Sequence, residues 1–361
     1  MSRRSKVAGV LNNILGLVGR IAPSKPSNPL LAYVRLRAEG GTLTLHAANE
    51  QVDLEARLPW EGGPFDVLLP ARLLVQQGHE AEFLGLEGGK FRLRSGPVEA
   101  GLAYAEPEGF PAFPEVGEAF RLPVEALLEA LDKVRYATAK EEYRAIFLGV
   151  QLEFSPQGFR AVASDGYRLA IYDAPHPAAV EGRVVVPRKS VDELVYALSQ
   201  AEGEVGVGLA PGMMVHQVGF AFRIQGAEVR LVTRLHEGEF PNYERVIPSA
   251  FAATVRVQAS GLREALKRLA PLTDSEVRRV DVTLKPGGLS VEVQGDHGEA
   301  RAWLPASVEG EGTFAFNGKQ LLEAVSPMEG EVRWDFAGGI NPTVIWQEGE
   351  GYRAVVVPLR V

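Results

Sequence analysis

Residues 67–74 read VLLPARLL, residues 184–191 read VVVPRKSV and residues 314–321 read FAFNGKQL. Three times, a short apolar strand runs into Pro or Asn and then into a helix-like segment. A second marker travels with the first: the strand openings GGTLTL, QGFRAV and GGLSVE place Gly at 41, 158 and 288. Gly41 to Gly158 and Pro70 to Pro187 both span 117 residues, while Gly158 to Gly288 and Pro187 to Asn317 both span 130. Two independent markers that hold one spacing identify three copies of one unit, because unrelated strand-like text does not keep register. The boundaries that follow are 1–117, 118–247 and 248–361. Each third has an ordinary domain size, whereas the whole chain is too long for a single core.

Within each copy the period of the apolar residues changes along the chain. Leu127, Leu128, Leu131 and Val134 recur at helical steps, with Glu129, Asp132, Lys133 and Arg135 on the other side and Pro123 in the expected first turn. Leu262, Ala265, Leu266 and Leu269 repeat this in the third copy, and Val7, Val10, Leu11, Ile14, Leu17 and Val18 in the first. Period-2 text broken by Gly turns follows, at 34–45, 150–162 and 280–293. Shorter helices are expected over 71–77, 190–198 and 318–325. The fold class is therefore α+β, with two helices packed on curved antiparallel sheet in each copy. Exposed sheet edges must be paired or hidden, and tandem copies can pair theirs with one another. If the bend per copy is constant, such an array closes head to tail into a ring.

Composition narrows the function. A hydrophobic content of 46% and a charged content of 23% describe a globular protein, and no apolar run approaches bilayer-spanning length. The early stretch VAGVLNNILGLVGRI reads as an amphipathic helix rather than a signal peptide, so the cytoplasm is the expected compartment. With no Cys there is neither a disulfide nor a thiolate metal site. The net charge of −8 excludes a uniformly basic nucleic-acid binder. Basic residues nonetheless gather on the helices (Lys133, Arg135, Lys140, Arg188, Lys189, Arg263, Lys267, Arg268 and Lys319), and acids crowd EGEGTF, WQEGEG, RLHEGEF and EPEG. That asymmetry suits a polyanion held through its backbone; solvated helix faces with local charge pairs are the plainer alternative.

Catalytic patterns are missing. GxxxxGK[ST] is absent, and Gly206-Val-Gly208-Leu-Ala-Pro211 ends in Pro where a dinucleotide loop needs Gly. His46, His79, His176, His216, His236 and His297 show no metal-binding spacing and read as surface or turn residues. Ser164 and Asp165 lack G-x-S-x-G, so Asp165-Gly166 reads as a turn that sets Tyr167 and Arg168. No cofactor or metal is expected.

Several long stretches carry a family likeness: AIFLGVQLEF (145–154), VASDGYRLAIYDAP (162–175), VVVPRKSVDEL (184–194), EGEFPNYERVIP (237–248) and VVVPLRV (355–361). They closely resemble the β subunit of bacterial replicative DNA polymerase, the β sliding clamps, and the likeness extends over essentially the whole chain. The resemblance implies three tandem clamp domains and a homodimeric ring closed head to tail, with helices lining a hole wide enough for duplex DNA. It implies a processivity factor with no chemistry of its own; the competing reading is a repeat-built hydrolase or a structural β protein that binds another polyanion. The implied partners are duplex DNA, bound without sequence preference, and the polymerase, clamp loader and repair proteins, which dock through a short hydrophobic-ended peptide motif; no membrane is involved.

Carried over residue by residue, the implied peptide pocket comprises Arg144, Phe147, Ser164, Gly166, Tyr167, Arg168, Leu169, Pro241, Arg245, Val246, Val277 and Thr343, with Val355, Val356, Val357, Pro358, Leu359 and Arg360 of the tail. Its apolar members offer a trough and Arg144, Arg168 and Arg245 directional donors. Implied DNA contacts are Lys25, Arg188 and Lys189, with Lys133, Arg135, Arg263, Lys267 and Arg268 added by their helix placement. Ala145, Ile146 and Glu141 stand where the family pattern has two aromatics and an amide. The implied dimer seam sets Pro271 and Leu272 against Ala100 and Leu102.

Overall fold

Pro70, Pro187 and Asn317 each mark the point where a strand hands over to a helix. Pro70 and Pro187 stand just before their helices with φ fixed at −56°, and the Asn317 side chain accepts from the N–H groups of Lys319 and Gln320. The computed structural model describes residues 3–140, 145–209, 216–274, 276–296 and 298–360. Among these, the helices are α1 (Arg3–Ile21), α2 (Ala71–Gly78), α3 (Val124–Val134), α4 (Arg188–Leu198), α5 (Ala259–Leu269) and α6 (Gly318–Val325). Helices alternate with groups of strands in one order that occurs three times along the chain; the second helix is the shorter in the first and third copies, whereas α3 and α4 are both 11 residues long. The helix positions expected from the apolar period agree with this. Pro123 differs by one residue, since it ends the strand Glu118–Pro123 and α3 starts at Val124; at a strand end its missing N–H breaks no ladder bond.

By internal contacts the chain gathers into two units, residues 1–129 with 178–237 and residues 130–177 with 238–361. In the first, an antiparallel sheet runs in the order Phe65–Pro70, Tyr33–Glu39, Thr42–Ala48, Val52–Pro59, Ala227–Arg234, Gln217–Ile224, Glu202–Leu209 and Glu118–Pro123. The hairpin between Tyr33–Glu39 and Thr42–Ala48 turns on Gly40 and Gly41 at φ +57° and +78°, the two-residue turn whose twist matches the flanking strands. Val10, Leu11, Ile14, Leu17 and Val18 of α1 are buried, as the helical period requires. Each such side chain contributes about 1.5–3 kcal/mol by leaving water. α1 packs closely on α2: a Cβ added at Gly78 would stand 2.8 Å from Leu15 Cδ1. A separate three-stranded sheet, Glu82–Glu87, Lys90–Ser95 and Val98–Leu102, leaves Val98–Leu102 as an edge.

In the second unit the order is Gly149–Ser155, Gly158–Ser164, Arg168–Ala174, Tyr352–Val356, Thr343–Trp346, Glu331–Phe336, Ala253–Gln258 and Ser307–Glu309. A four-stranded sheet of Gly298–Pro305, Gly288–Gly295, Arg279–Lys285 and Gly312–Asn317 has Gly298–Pro305 at its edge. One joint occurs in both units. The third strand after the first helix of one copy pairs antiparallel with the last strand of the next copy: Val52–Pro59 with Ala227–Arg234 (Leu54 opposite Leu231), and Arg168–Ala174 with Tyr352–Val356 (Leu169 opposite Val355). Tandem copies thus pair their edges, as the sequence led us to expect.

One histidine departs from expectation. His46 is buried, with Nε2 3.0 Å from Asp53 Oδ1 and its ring edge-on to Phe110 and Phe113, because it faces inward on the Thr42–Ala48 strand beneath the segment that carries those rings. His297 lies outside the described residues. Among the described residues, no cluster of His, Asp and Glu could hold a metal, and no helix is long and apolar enough to cross a membrane.

Candidate functional site

Ser164 to Leu169 link two paired strands, Gly158–Ser164 and Arg168–Ala174, by a turn built on side chain-to-backbone bonds. Asp165 Oδ1 accepts from the N–H groups of Tyr167 (2.9 Å) and Arg168 (3.0 Å), and Ser164 Oγ donates to the Arg168 carbonyl at 2.8 Å while accepting from Gly166 N–H. Gly166 supplies φ +90°, with open space where a Cβ would be. Tyr167 is consequently thrust outward, 64% exposed. Asp165-Gly166 makes the expected turn, and the Ser164 hydroxyl is engaged in the loop backbone.

Arg168 differs from the directional donor of the sequence reading. Its side chain is only 5% exposed. Nε donates to Asp165 Oδ2 at 3.0 Å, Nη1 to Glu323 of α6 and Nη2 to the Tyr136 carbonyl at 2.8 Å, while the guanidinium lies over the Tyr136 ring. Burial works against its charge, but the bond and charge of Glu323 with the charge of Asp165 outweigh it and hold the group above its ordinary pKa.

Behind the turn lies an apolar cluster of Val162, Leu169, Ile171, Tyr243, Val344 and Val355, with Phe240, Ile247 and Trp346 packed against it. Tyr243 sits on a short 3₁₀ turn, Tyr243–Val246, donates its hydroxyl proton to Glu153 (2.8 Å) and accepts from Arg160 (3.1 Å). Burial, assisted by Glu153, pushes the phenol up to about 12. Phe147 is buried, with its ring edge-on to Phe240. The same 3₁₀ turn leaves Val246 52% exposed beside exposed Arg245, and Pro241 is exposed just before it. Leu169, Phe147, Val355 and Tyr243 therefore form a floor, and Tyr167, Pro241, Arg245 and Val246 stand in solvent.

Other candidates divide by depth. Thr343 is fully buried, accepting from the Trp334 indole N–H at 2.9 Å and donating to the Val356 carbonyl at 3.0 Å, and Val356 is equally buried. Both act as frame. The tail continues the last strand: Val357 N–H reaches the Tyr167 carbonyl at 3.4 Å and Leu359 N–H the Ala315 carbonyl at 2.7 Å, with Pro358 buried and Arg360 exposed. Val277 is exposed in a loop whose N–H groups at Glu276, Val277 and Arg278 converge on Asp274 Oδ1, which lowers the Asp274 pKa. Arg144 and Glu141 lie outside the described residues, and Ile146 is half-buried on the 3₁₀ turn Ala145–Leu148.

The helix cations separate into committed and available groups. Arg135 bonds Asp132, Arg188 bonds Asp192 and Arg268 bonds Glu264, all within a helical turn. Arg263 turns back onto the carbonyls of Val325 and Met328 at the end of α6, so it serves as a tie between helices. Lys133 sits over the Tyr172 ring at 5.2 Å. Lys25, Lys189 and Lys267 are exposed. Lys140 and Lys319 lie side by side, and a hydrogen bond with Lys140, followed by its like charge, lowers the Lys319 pKa.

The seam candidates sit at the two open edges. Leu102 is buried and Ala100 half-buried on Val98–Leu102; Pro271 is exposed and Leu272 half-buried on the 3₁₀ turn Ala270–Leu272, whose last carbonyl lies close against Gly295 next to the edge strand Gly298–Pro305. Sequence reading passed over two side chains on these edges, Val98 at 57% exposure and Trp303 at 50%. The alternation in GEARAWLP was the available signal, since an apolar Trp on the outward phase of an edge strand marks a surface meant to be covered.

Strand-paired repeats over an apolar core, with Tyr167, Pro241, Arg245 and Val246 exposed beside it, define a clamp-like scaffold. Residues 121–242 match the family model for the DNA polymerase III beta subunit, central domain, and residues 244–360 match that for its C-terminal domain. The beta sliding clamp of Synechococcus elongatus is 30% identical over 350 residues, covering 88% of each chain, and that of Pseudomonas putida 28% identical over 362 residues, covering 96% of each. A crystal structure of the sliding clamp (DNA polymerase III subunit beta) from Pseudomonas aeruginosa bound to griselimycin superposes with a TM-score of 0.88 at 25% identity over 98% of both chains. The chain belongs to the DNA polymerase III β subunit family, the β sliding clamps. It is accordingly a polymerase processivity factor and not an enzyme, and the hydrolase alternative is not favoured.

Proposed function

We propose that two copies of this chain close head to tail into a ring around duplex DNA and tether the replicative polymerase to its template. One observation carries the closure. The third-strand-to-last-strand joint is made twice within the chain, and it leaves over one third strand, Gly298–Pro305, and one last strand, Val98–Leu102, both at sheet edges. Pairing these between copies repeats the same joint, buries Val98 and Trp303 and leaves no edge of this kind open. The clamp domains are then 1–117, 118–247 and 248–361, with Ala100, Leu102, Pro271 and Leu272 at the seam.

The trough over Leu169, Val355, Tyr243 and Phe147 takes the apolar end of a partner's peptide, with Tyr167, Pro241, Arg245 and Val246 at its rim and the tail alongside. Polymerase, clamp loader and repair proteins compete for it. DNA is held loosely through phosphates, chiefly by exposed Lys25, Lys189 and Lys267, in the cytoplasm where replication takes place. Light scattering gives the first test, with the dimer mass expected. The second is retention: a ring loaded on a nicked circle stays, and slips off once the circle is cut. Equal loss from circular and linear DNA overturns the closed ring.

A further inference from the structure

Arg168 holds three elements together without reaching the surface. Its backbone belongs to the Asp165 turn and to the strand paired with Tyr352–Val356, where Arg168 lies opposite Val356. Its guanidinium carries that turn onto α6 through Glu323 and onto the segment after α3 through the Tyr136 carbonyl. A second tie lies beneath: Tyr136 Oη is 2.8 Å from Tyr352 Oη, which donates to the Ala324 carbonyl at 2.9 Å, so the hydroxyl chain runs toward the residue after Glu323. Asp165 alone would leave the guanidinium free to swing with its own loop; the Tyr136 carbonyl and Glu323 anchor it from outside, and Glu323 is the charged one of the two.

We propose that Glu323, on α6, is a positioning residue of the peptide site: by holding buried Arg168 it sets the turn that presents Gly166 and Tyr167 and fixes Leu169 in the floor. This inference rests on the trough being the peptide site. Arg168 then acts from behind the site: its side chain is only 5% exposed, and Nε, Nη1 and Nη2 each donate to an internal acceptor. Removing the Glu323 charge leaves a buried cation with half its compensation, and the strain falls on the turn. Nothing in the sequence separates Glu323 from the other acids of the chain, since it lies 155 residues from Arg168.

The test is fluorescence anisotropy with a labelled synthetic hydrophobic-ended clamp-motif peptide on the full dimeric chain. Glu323→Gln is expected to weaken binding about tenfold, the middle of the range for coupled neighbours. Arg263→Ala, which frees the C-terminal end of α6 just beyond Glu323 without touching Arg168, is expected to bind as wild type. In an Arg168→Met background, adding Glu323→Gln should have no further effect; an undiminished loss there would mean that Glu323 acts only on α6 and would overturn the proposal. If Glu323→Gln does not fold, Glu323→Asp, which keeps the charge but withdraws it by one methylene, is expected to show a smaller loss of the same kind, and wild-type binding by it also counts against the idea. Val246→Asp separates the two readings. Unchanged peptide binding in Val246→Asp refutes the trough itself, whereas its loss in Val246→Asp together with full binding in Glu323→Gln refutes only the role of Glu323.

Discussion

Replacing both Lys25 and Lys189 with Ala should flatten the salt dependence of DNA binding far more than replacing Arg188. Both ammonium groups are exposed and make no hydrogen bond or ion pair among the described residues, whereas Arg188 Nε lies 3.0 Å from both oxygens of Asp192. A free ammonium that meets a phosphate displaces a counterion, worth about 0.9 in the slope of log K against log salt. Arg188 must first leave or share its carboxylate. In a dimer the double variant removes four such groups, so the slope should fall by up to about 3.6, equivalent to about two decades less affinity lost between 50 and 200 mM salt. Anisotropy on a short labelled linear duplex is the suitable assay, because an open-ended DNA reports contact rather than topological capture. Arg188→Ala should change the slope by less than half as much. An unaltered slope in the double variant, or a larger change from Arg188→Ala, would refute the division into committed and available cations.

Val98→Glu with Trp303→Glu sets like charges on the two open edges and should convert the dimer to monomer in sedimentation experiments, with each chain still folded; persistence of the dimer would remove these strands from the seam. Deleting residues 357–361 takes away the Val357 and Leu359 backbone bonds and should abolish peptide binding by calorimetry while leaving the dimer mass unchanged. The Tyr243 phenol is raised from an ordinary 10.0 to about 12, so the folded state keeps a proton that the unfolded chain releases. Its contribution is intact below pH 10 and is lost as pH climbs toward 12, to the extent of roughly 3 kcal/mol at most. Urea unfolding across that window should therefore show a shallower decline in Tyr243→Phe than in wild type.

The repeat was legible because its markers have local causes. Pro70, Pro187 and Asn317 begin helices by fixed φ or by a capping side chain, Gly40 and Gly41 make a tight hairpin, and Ile14, Leu131 and Leu266 bury one helical face; each follows from the residue and its immediate neighbours. The Asp165-Gly166 turn was readable for the same reason. What escaped depends on long-range pairing. Arg168 looked like a donor for a ligand until Glu323 and the Tyr136 carbonyl were brought against it, and Arg263 looked like a DNA cation until the end of α6 arrived beside it. His46 looked like a surface residue until Phe110 and Phe113 covered it. Partnerships across 32 residues or more leave no mark in composition or period, which is why helices and hairpins were anticipated better than the fate of individual charges.

The paired strands that join Val52–Pro59 to Ala227–Arg234, and Arg168–Ala174 to Tyr352–Val356, also bear on ancestry. A gene encoding a single third of this chain would specify a particle with one unmatched rim of each kind, complementary to its own sister copies. Fusing such copies in tandem would exchange free association for covalent linkage and leave the contacts as they were. Lengthening the polypeptide in this way asks for no invention of a new surface, only the retention of an old one at each terminus.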